Sequence, residues 1–302
     1  MKKTLLFVGT AMALSSCMMD HSKEFYQKAL DDENRKDLKA ALNDYTQAIK
    51  ENPKYAVAYC NRGLVKYHMG NLEDAIRDYD VAITLDPTDA IVYNNRGLAE
   101  ADNNNYESAM KDYNKAIELD PTMSRAYDNR GLAEGDQGKY DEAMKDYNMA
   151  LKLDSNDSYI YNNIGFLLYK QKAYSEALPY YNKAIKLDPT LSAAFDNRGL
   201  IEYHLANDSA GIIDCSKSIS LDSSSAFAWN NRGLIEYDMQ NYAGTIKDCN
   251  KAISLSPNMA VAFLNRGIAK IKSGDKSGCE DLTRAKTLGD ANADDFLADY
   301  CQ

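Results

Sequence analysis

Apolar residues along the chain recur at helical spacing, in paired stretches that repeat every 34 residues. In one copy, Tyr59 and Gly63 share a face of a first predicted helix. Ala75, Tyr79 and Ala82 follow on one face of a second, at the i, i+4, i+7 spacing of a helix. Each period of the pattern therefore predicts two amphipathic helices.

Short polar breaks separate these stretches. Gly70 and Asn71 interrupt the two helices of one copy, and Leu-Asp-Pro-Thr at 85–88 closes the second helix. Proline ends a helix here because it disfavours helical backbone in the residue before it. The signals typical of β-hairpins do not occur in the sequence. The chain is therefore predicted to be all-α, built of eight helix hairpins.

This pattern resembles that of the tetratricopeptide repeats, in which an aromatic residue and a glycine of the first helix precede a second helix rich in alanine. The early aromatics are Phe25, Tyr59, Tyr93, Tyr127, Tyr161, Phe195, Trp229 and Phe263. The glycines are Gly63, Gly97, Gly131, Gly165, Gly199, Gly233 and Gly267. The resemblance implies a right-handed superhelical solenoid with the first helices lining its concave side.

The predicted repeat boundaries follow from the period. They are 22–55, 56–89, 90–123, 124–157, 158–191, 192–225, 226–259 and 260–288, with a capping helix at 289–302. The sixth copy departs most, because Asp208 replaces the turn tyrosine and Gly211 and Ser218 replace two alanines. We expect that copy to be the loosest segment.

Residues 1–16 have the organisation of a signal peptide, with Lys2 and Lys3 before a short apolar stretch. The stretch ends before Cys17, which resembles the acylated cysteine of bacterial lipoproteins. An ordinary secretory signal is the alternative. With the linker 17–21 carrying the lipid, we expect an exported protein anchored in the bacterial cell envelope, at the outer membrane and facing the periplasm or the surface.

The chain has 45 Asp and Glu against 35 Lys and Arg, which gives a formal charge of −10. Nucleic acid is therefore not an expected partner, because such binding depends on basic residues that neutralise phosphates. No recurring spacing pairs a nucleophile with a base, and no metal-binding spacing occurs. We expect no enzyme activity, no cofactor and no metal.

Five of the six arginines after the recurring Asn are followed 16 residues later by an aspartate, as in Arg62 and Asp78 or Arg130 and Asp146. In the shortened last copy Asp281 follows Arg266 by 15 residues, and in the first copy the pair is Lys28 and Asp44. The one copy without the arginine, at Ile164, also lacks the aspartate, at Tyr180. Joint presence and joint absence predict an ion pair across every helix hairpin that has both residues. A basic groove lined by the arginines is the alternative.

An asparagine recurs in the middle of seven first helices although it is a poor helix former. These residues are Asn61, Asn95, Asn129, Asn163, Asn197, Asn231 and Asn265. They share a stripe with other candidates for a peptide-binding groove: Leu98, Leu132, Tyr159, Phe227, Asp102, Asp136 and Asp238. Two interpretations are open, a groove and a ladder of bonds between neighbouring helices.

The groove interpretation rests on the resemblance, since asparagine at this place in peptide-binding relatives bonds the backbone of an extended peptide. A carboxamide suits that contact because it both donates and accepts. We therefore expect a scaffold for protein–protein interaction. Two alternatives remain: a structural part of an envelope assembly that docks by its convex face or its ends, and a glycan binder.

Cys279 and Cys301 lie at similar distances on either side of the break at Gly289 and Asp290. Two antiparallel helices meeting at that break would bring the cysteines to one level. Because an exported protein can form disulfides, the sequence predicts a bond between them.

Overall fold

The computed structural model describes residues 20–301. The predicted signal peptide at 1–16, the proposed acylation site Cys17 and most of the linker at 17–21 lie outside the described residues. Within that range every regular element is a helix, which confirms the all-α fold class. None of these helices is long and apolar enough to cross a bilayer.

The chain divides into two compact units, residues 1–121 and 122–302. The described part of the first unit forms three helix hairpins in sequence. Its helices are α1 (Ser22–Asn34), α2 (Leu38–Glu51), α3 (Ala56–His68), α4 (Leu72–Leu85), α5 (Ala90–Asp102) and α6 (Tyr106–Leu119).

The described part of the second unit continues with five hairpins and one further helix. These are α7 (Ser124–Asp136), α8 (Tyr140–Leu153), α9 (Ser158–Lys170), α10 (Tyr174–Leu187), α11 (Ser192–His204), α12 (Asp208–Leu221), α13 (Ala226–Asp238), α14 (Tyr242–Leu255), α15 (Ala260–Lys272), α16 (Gly278–Thr287) and α17 (Ala293–Tyr300). In both units each first helix packs on the second helix that follows it, and successive hairpins also contact one another.

Glycine in the first helix lets the two helices of a hairpin approach closely. A Cβ atom added at Gly63 would lie 2.8 Å from the ring of Tyr79, and one at Gly165 would lie 2.7 Å from the ring of Tyr181. Such contacts are closer than carbon atoms tolerate, so only glycine fits. The tyrosine position is fully buried in each second helix from α2 to α10, and the residues are Tyr45, Tyr79, Tyr113, Tyr147 and Tyr181.

Two later hairpins replace that tyrosine by cysteine. Cys215 and Cys249 are fully buried free thiols in α12 and α14. Burial raises the pKa of Cys249 to about 12, so the thiol stays protonated at neutral pH. These cysteines therefore serve as small apolar core residues.

The turns between the helices of a hairpin need a residue with left-handed backbone. Gly70 has φ of 79° and Gly138 has φ of 76°, which costs glycine little. In five other hairpins a residue with a Cβ takes this place with φ between 60° and 62°, and these are Lys36, Asn104, Lys172, Ala206 and Gln240. A residue with a Cβ is strained in that region, so these turns are locally less favourable than the glycine turns.

The last helix closes the second unit. Leu282 of α16 and Ala293 of α17 are fully buried in one apolar cluster with residues of α15. The Sγ atoms of Cys279 and Cys301 lie 2.03 Å apart in a disulfide, with the Cα atoms 5.7 Å apart. The disulfide thus ties the end of α17 to the start of α16.

Candidate functional site

One position near the start of the first helices carries exposed apolar side chains. In the first unit it holds Val57 and Ile91, and both are exposed. In the second unit Tyr159 is 58% exposed and Phe227 is 67% exposed, and Val261 is also exposed. We call this the anchor position. Large apolar side chains repeated at one exposed place are typical of a surface that binds another molecule.

Two copies of the second unit hold other residues at the anchor position. They are Arg125 in α7 and Ala193 in α11, and both are exposed. Arg125 introduces a positive charge among apolar side chains, and Ala193 offers little apolar area. The anchor position is therefore chemically different from one hairpin to the next.

Acidic side chains lie at the other end of the same helices. The predicted groove acids are all exposed, and they are Asp102, Asp136 and Asp238. Tyr67 donates a hydrogen bond of 2.6 Å to Asp102, and Lys170 forms an ion pair of 2.6 Å with Asp136. Burial and a hydrogen bond to Asp238 raise the pKa of Tyr203 to about 12. Each acid therefore has a partner on the neighbouring first helix.

The two predicted groove leucines, Leu98 and Leu132, lie between these ends. Both are half-buried, three residues after the recurring asparagine. They add apolar surface beside the asparagine side chains and do not belong to the fully buried core.

The recurring asparagines bond one first helix to the preceding one. The Nδ2 atom of Asn163 donates to Asp128 at 3.0 Å, that of Asn197 donates to Asn162 at 3.0 Å, and that of Asn265 donates to Asn230 at 3.0 Å. Equivalent bonds run from Asn231 to Asp196, from Asn61 to Tyr26, and from Asn95 to the sulfur of Cys60. Asn129 is half-buried at the same place in α7.

These hydrogen bonds correspond to the ladder between neighbouring helices, which was one of the two interpretations that the sequence allowed. One amide hydrogen of each of these six side chains is used inside the protein, and five of the six side chains remain half-exposed. Each amide also has a second hydrogen and an oxygen acceptor, so a ligand backbone could bond to it without breaking the ladder. Contact between the asparagines and a ligand therefore stays a prediction, and their role within the fold is structural.

The acceptors of the ladder include two buried carboxylates that the sequence reasoning missed. Asp128 and Asp196 are both almost fully buried, and burial raises the pKa of each to about 6. Asn162 and Asn230 hold the same position in alternate hairpins. The sequence did contain a signal for these buried carboxylates, because a polar residue recurs directly before the asparagine. The equivalent residues Cys60 and Leu264 are apolar and buried, which identifies this position as part of the core.

The predicted arginine–aspartate pairs are present across the hairpins of both units. Arg96 bonds Asp112 through two nitrogens at 2.7 Å, and Arg130 bonds Asp146 at 2.6 and 2.8 Å. The other pairs are Arg62–Asp78, Arg198–Asp214, Arg232–Asp248, Arg266–Asp281 and Lys28–Asp44. The aspartates are buried and the arginines mostly so, which makes these structural contacts.

The hairpin without this pair replaces it by apolar packing. Ile164 is fully buried, and Tyr180 packs against the same cluster. The fifth hairpin thus closes without the ion pair.

No group of His, Cys, Asp or Glu among residues 20–301 has the geometry of a metal site.

Two family models for tetratricopeptide repeats match the sequence. One, described as "TPR repeat", matches 34–70, 65–103 and 133–172. The other, described as "Tetratricopeptide repeat", matches 90–123, 158–191 and 226–259. Together they cover more than half of the chain. No curated protein matches the sequence.

Several solved structures share the fold. A tetratricopeptide repeat protein from Parabacteroides merdae has a TM-score of 0.66 at 20% identity, over 82% of this chain and 98% of that chain. A chain of the APC/C hetero-tetramer Cut9-Hcn1 has a TM-score of 0.77 at 16% identity, over 96% of this chain and 58% of that chain. The pilF protein of Pseudomonas aeruginosa has a TM-score of 0.60 at 23% identity, over 70% and 97%.

Proposed function

Because the chain belongs to the tetratricopeptide repeat proteins, we propose that it is a non-enzymatic scaffold that binds an extended segment of a partner protein along its first helices. Repeats of this family support a role in protein–protein interaction in general. The anchor position supports the finer assignment to the first helices.

The observation that carries the proposal is the exposure of Tyr159 and Phe227 in the second unit. Aromatic side chains dominate the energy of protein interfaces because they bury large apolar areas at little conformational cost. Burial of apolar surface contributes about 25 cal/mol per Å². A partner that covered both rings would gain affinity from that burial.

The charged side chains on the first helices determine which residues in a partner segment are favoured. In the second unit Asp238 favours basic residues in a ligand, and Arg125 favours an acidic or polar one. The partner segment should therefore combine apolar residues with charges of both signs.

A selection from a library of extended peptides tests the proposal. Peptides enriched on the intact protein should bind at least tenfold more weakly to Tyr159→Ser and to Phe227→Ser. Ile213→Ser is the matched control, because Ile213 is 68% exposed on the second helix α12. Equal weakening by all three substitutions, or by the control alone, would contradict binding at the first helices.

We further propose that the protein is exported and held in the bacterial cell envelope by lipid on Cys17. The proposal is supported by the sequence before Cys17, where two lysines and a short apolar stretch precede the cysteine. Several acyl chains would be needed for stable anchoring. Cys17→Ser should move the protein from the membrane to the soluble fraction. A variant that sediments with membranes through a salt wash would refute the lipid anchor.

A further inference from the structure

The last helix of the second unit, α17, is a shortened first helix. Phe296 and Leu297 lie 33 residues after Phe263 and Leu264, which is the interval expected when a 34-residue period loses one residue. The first helix α15 has 13 residues, whereas α17 has 8 and ends at Tyr300. Because it is shorter, α17 covers only part of the surface that a complete first helix would cover.

Packing alone holds α17 weakly. The seven first helices from α3 to α15 bury between four and seven residues each, whereas α17 buries only Ala293. The polar contacts of α17, which join Lys286 to Asp294 and Lys272 to Tyr300, are exposed. Exposed ion pairs contribute little stability, and an isolated helix of this length is not stable in water. The attachment of α17 therefore depends on its disulfide.

A cavity of about 310 Å³ lies beyond the end of α17. Its wall includes Ile271 of α15, Gly274 of the following turn, Cys279 of α16, and Tyr300 and Cys301 at the end of α17. The missing turns of a complete first helix would extend into this space. Both cysteines are half-buried, so a thiol that enters the cavity can reach the disulfide.

The two cysteines differ in their position relative to the helix ends. Cys279 is the second residue of α16, where the positive end of the helix macrodipole stabilises a thiolate. Cys301 directly follows the negative end of α17. The acidic Asp281 in the same turn as Cys279 is paired with Arg266 and Lys270 at 2.5 and 2.8 Å. Since the more stabilised thiolate leaves faster in thiol–disulfide exchange, Cys279 is the better leaving group.

We propose that the Cys279–Cys301 disulfide is a redox-sensitive latch on α17, which a dithiol opens through this cavity. One thiolate of the dithiol attacks Cys301 Sγ, so that a mixed disulfide forms and Cys279 Sγ leaves as a thiolate. The second thiol of the dithiol then attacks the first, which releases Cys301. The dithiol ends as a disulfide, and its two protons end on the two cysteines.

Release of α17 uncovers apolar residues of the last hairpin. Leu264, Ile268 and Leu282 are buried in one cluster with Ala293 of α17. The latch therefore controls whether the end of the second unit is closed or presents an apolar surface. No residue at the anchor position takes part, so the latch does not rest on the proposed function.

Hydrogen exchange measures the release of α17. The full chain is incubated in deuterated buffer with and without dithiothreitol, and exchange is followed by mass spectrometry after digestion. After reduction, the backbone amides of residues 296–301 should exchange at least tenfold faster, approaching the rate of an unstructured peptide, while those of α9 keep most of their protection. Cys279→Ser with Cys301→Ser should behave like the reduced protein without any reductant.

Glutathione tests the route to the disulfide. After quenching with N-ethylmaleimide, glutathione should be found on Cys301 and the maleimide on Cys279. Lys276 lines the cavity, so Lys276→Glu should slow attack by the anionic glutathione at least threefold and leave attack by the neutral 2-mercaptoethanol little changed. Lys247→Glu, at an exposed position on α14, is the matched control. Equal effects of the two substitutions would place the entry of the thiol elsewhere and contradict the route.

Four further results would overturn the proposal. Equal protection of α17 in the oxidised and the reduced protein would show that packing alone holds the helix. Loss of protection throughout the second unit would show general unfolding instead of the opening of a latch. Reduction no faster than global unfolding would show that the cavity does not admit a thiol. Glutathione on Cys279 would show that Cys301 is the leaving group.

Discussion

Asn163 donates its side-chain amide to the buried carboxylate of Asp128, 35 residues earlier, at 3.0 and 3.3 Å to the two oxygens. The bond joins the first helices α7 and α9, and Asn231 and Asp196 repeat it between α11 and α13. A buried carboxylate held by one neutral amide keeps a raised pKa, since the amide compensates only part of the lost hydration. These contacts link the stacking of hairpins to pH.

Asp128→Asn should stabilise the protein at pH 8 and leave it little changed at pH 4. The pKa of Asp128 is about 6 when folded, against about 3.9 when unfolded. The folded state then holds more protons between these values, so its stability falls as pH rises from about 4 through 6. The amide of the variant does not titrate, so this pH dependence disappears. At pH 8 the gain in the free energy of unfolding is on the order of 1–3 kcal/mol. Urea unfolding at several pH values measures it.

The control for this variant is already in the chain, since Asn162 accepts from Asn197 in the arrangement that Asp128→Asn would copy. A variant with the same pH slope as the parent would show that Asp128 does not titrate with folding.

Asn197→Ala should lower the free energy of unfolding by about 1–3 kcal/mol, because the almost fully buried Asn162 loses its donor. Helix propensity alone gives the opposite sign, with a gain of roughly 0.7 kcal/mol from the same change. The sign of the change, measured by denaturant unfolding, therefore distinguishes a structural ladder from asparagines that serve only ligand binding. A variant more stable than the parent would favour the ligand-binding interpretation.

Arg130→Ile should destabilise by about 1–3 kcal/mol, because Asp146 is left buried without its two strong hydrogen bonds. Adding Asp146→Tyr should recover a large part of the loss. The double variant copies the apolar pair Ile164 and Tyr180 of the fifth hairpin. Simple additivity of the two changes in a double-mutant cycle would show that the residues do not interact.

Glu134→Lys should stabilise the protein, most strongly above neutral pH. Glu134 is buried, and burial together with Asp146 raises its pKa to about 7. Its folded-state pKa lies above the unfolded value of about 4.3, so the folded state binds more protons between these two values. The free energy of unfolding of the parent protein therefore falls as the pH rises from about 4 through 7. Lys66 holds this place in the second hairpin and pairs with Asp78 at 2.7 Å.

Glu134→Gln separates the two effects, since it removes the buried charge without adding a pair. Thermal unfolding at pH 8 should rank Lys above Gln and Gln above the parent. A lysine variant less stable than the glutamine variant would show that the lysine does not reach Asp146.

Reduction of the Cys279–Cys301 disulfide should lower stability by about 3 kcal/mol, since the bond closes a loop with a sequence separation of 22. Unfolding with and without a dithiol reductant measures the change, and Cys279→Ser with Cys301→Ser should match the reduced protein. The buried thiols Cys215 and Cys249 are the internal control. Two freely titrating thiols at 279 and 301 in the oxidised protein would refute the bond.

The sequence alone determined the helices, their pairing and the ion pairs within every hairpin but the fifth. These features depend on residues close along the chain, and repetition shows which positions vary together. Arg130 and Asp146 could be paired because their type is exchanged jointly in the fifth hairpin. Gly63 could be placed opposite Tyr79 because helical periodicity puts Gly63 on the packing face of the first helix and Tyr79 on that of the second.

Only the tertiary structure decided what the asparagines bond and where the molecule has space. The partner of Asn163 lies one hairpin away, and the rotation between stacked hairpins, which the sequence does not state, brings Asp128 within reach. The depression lined by Asp208, Ser209 and Met239 likewise could be found only in the structure. Asp208 was visible as a departure from the pattern, but its consequence is an unfilled space beside Glu236, and packing of the neighbouring hairpin sets that space.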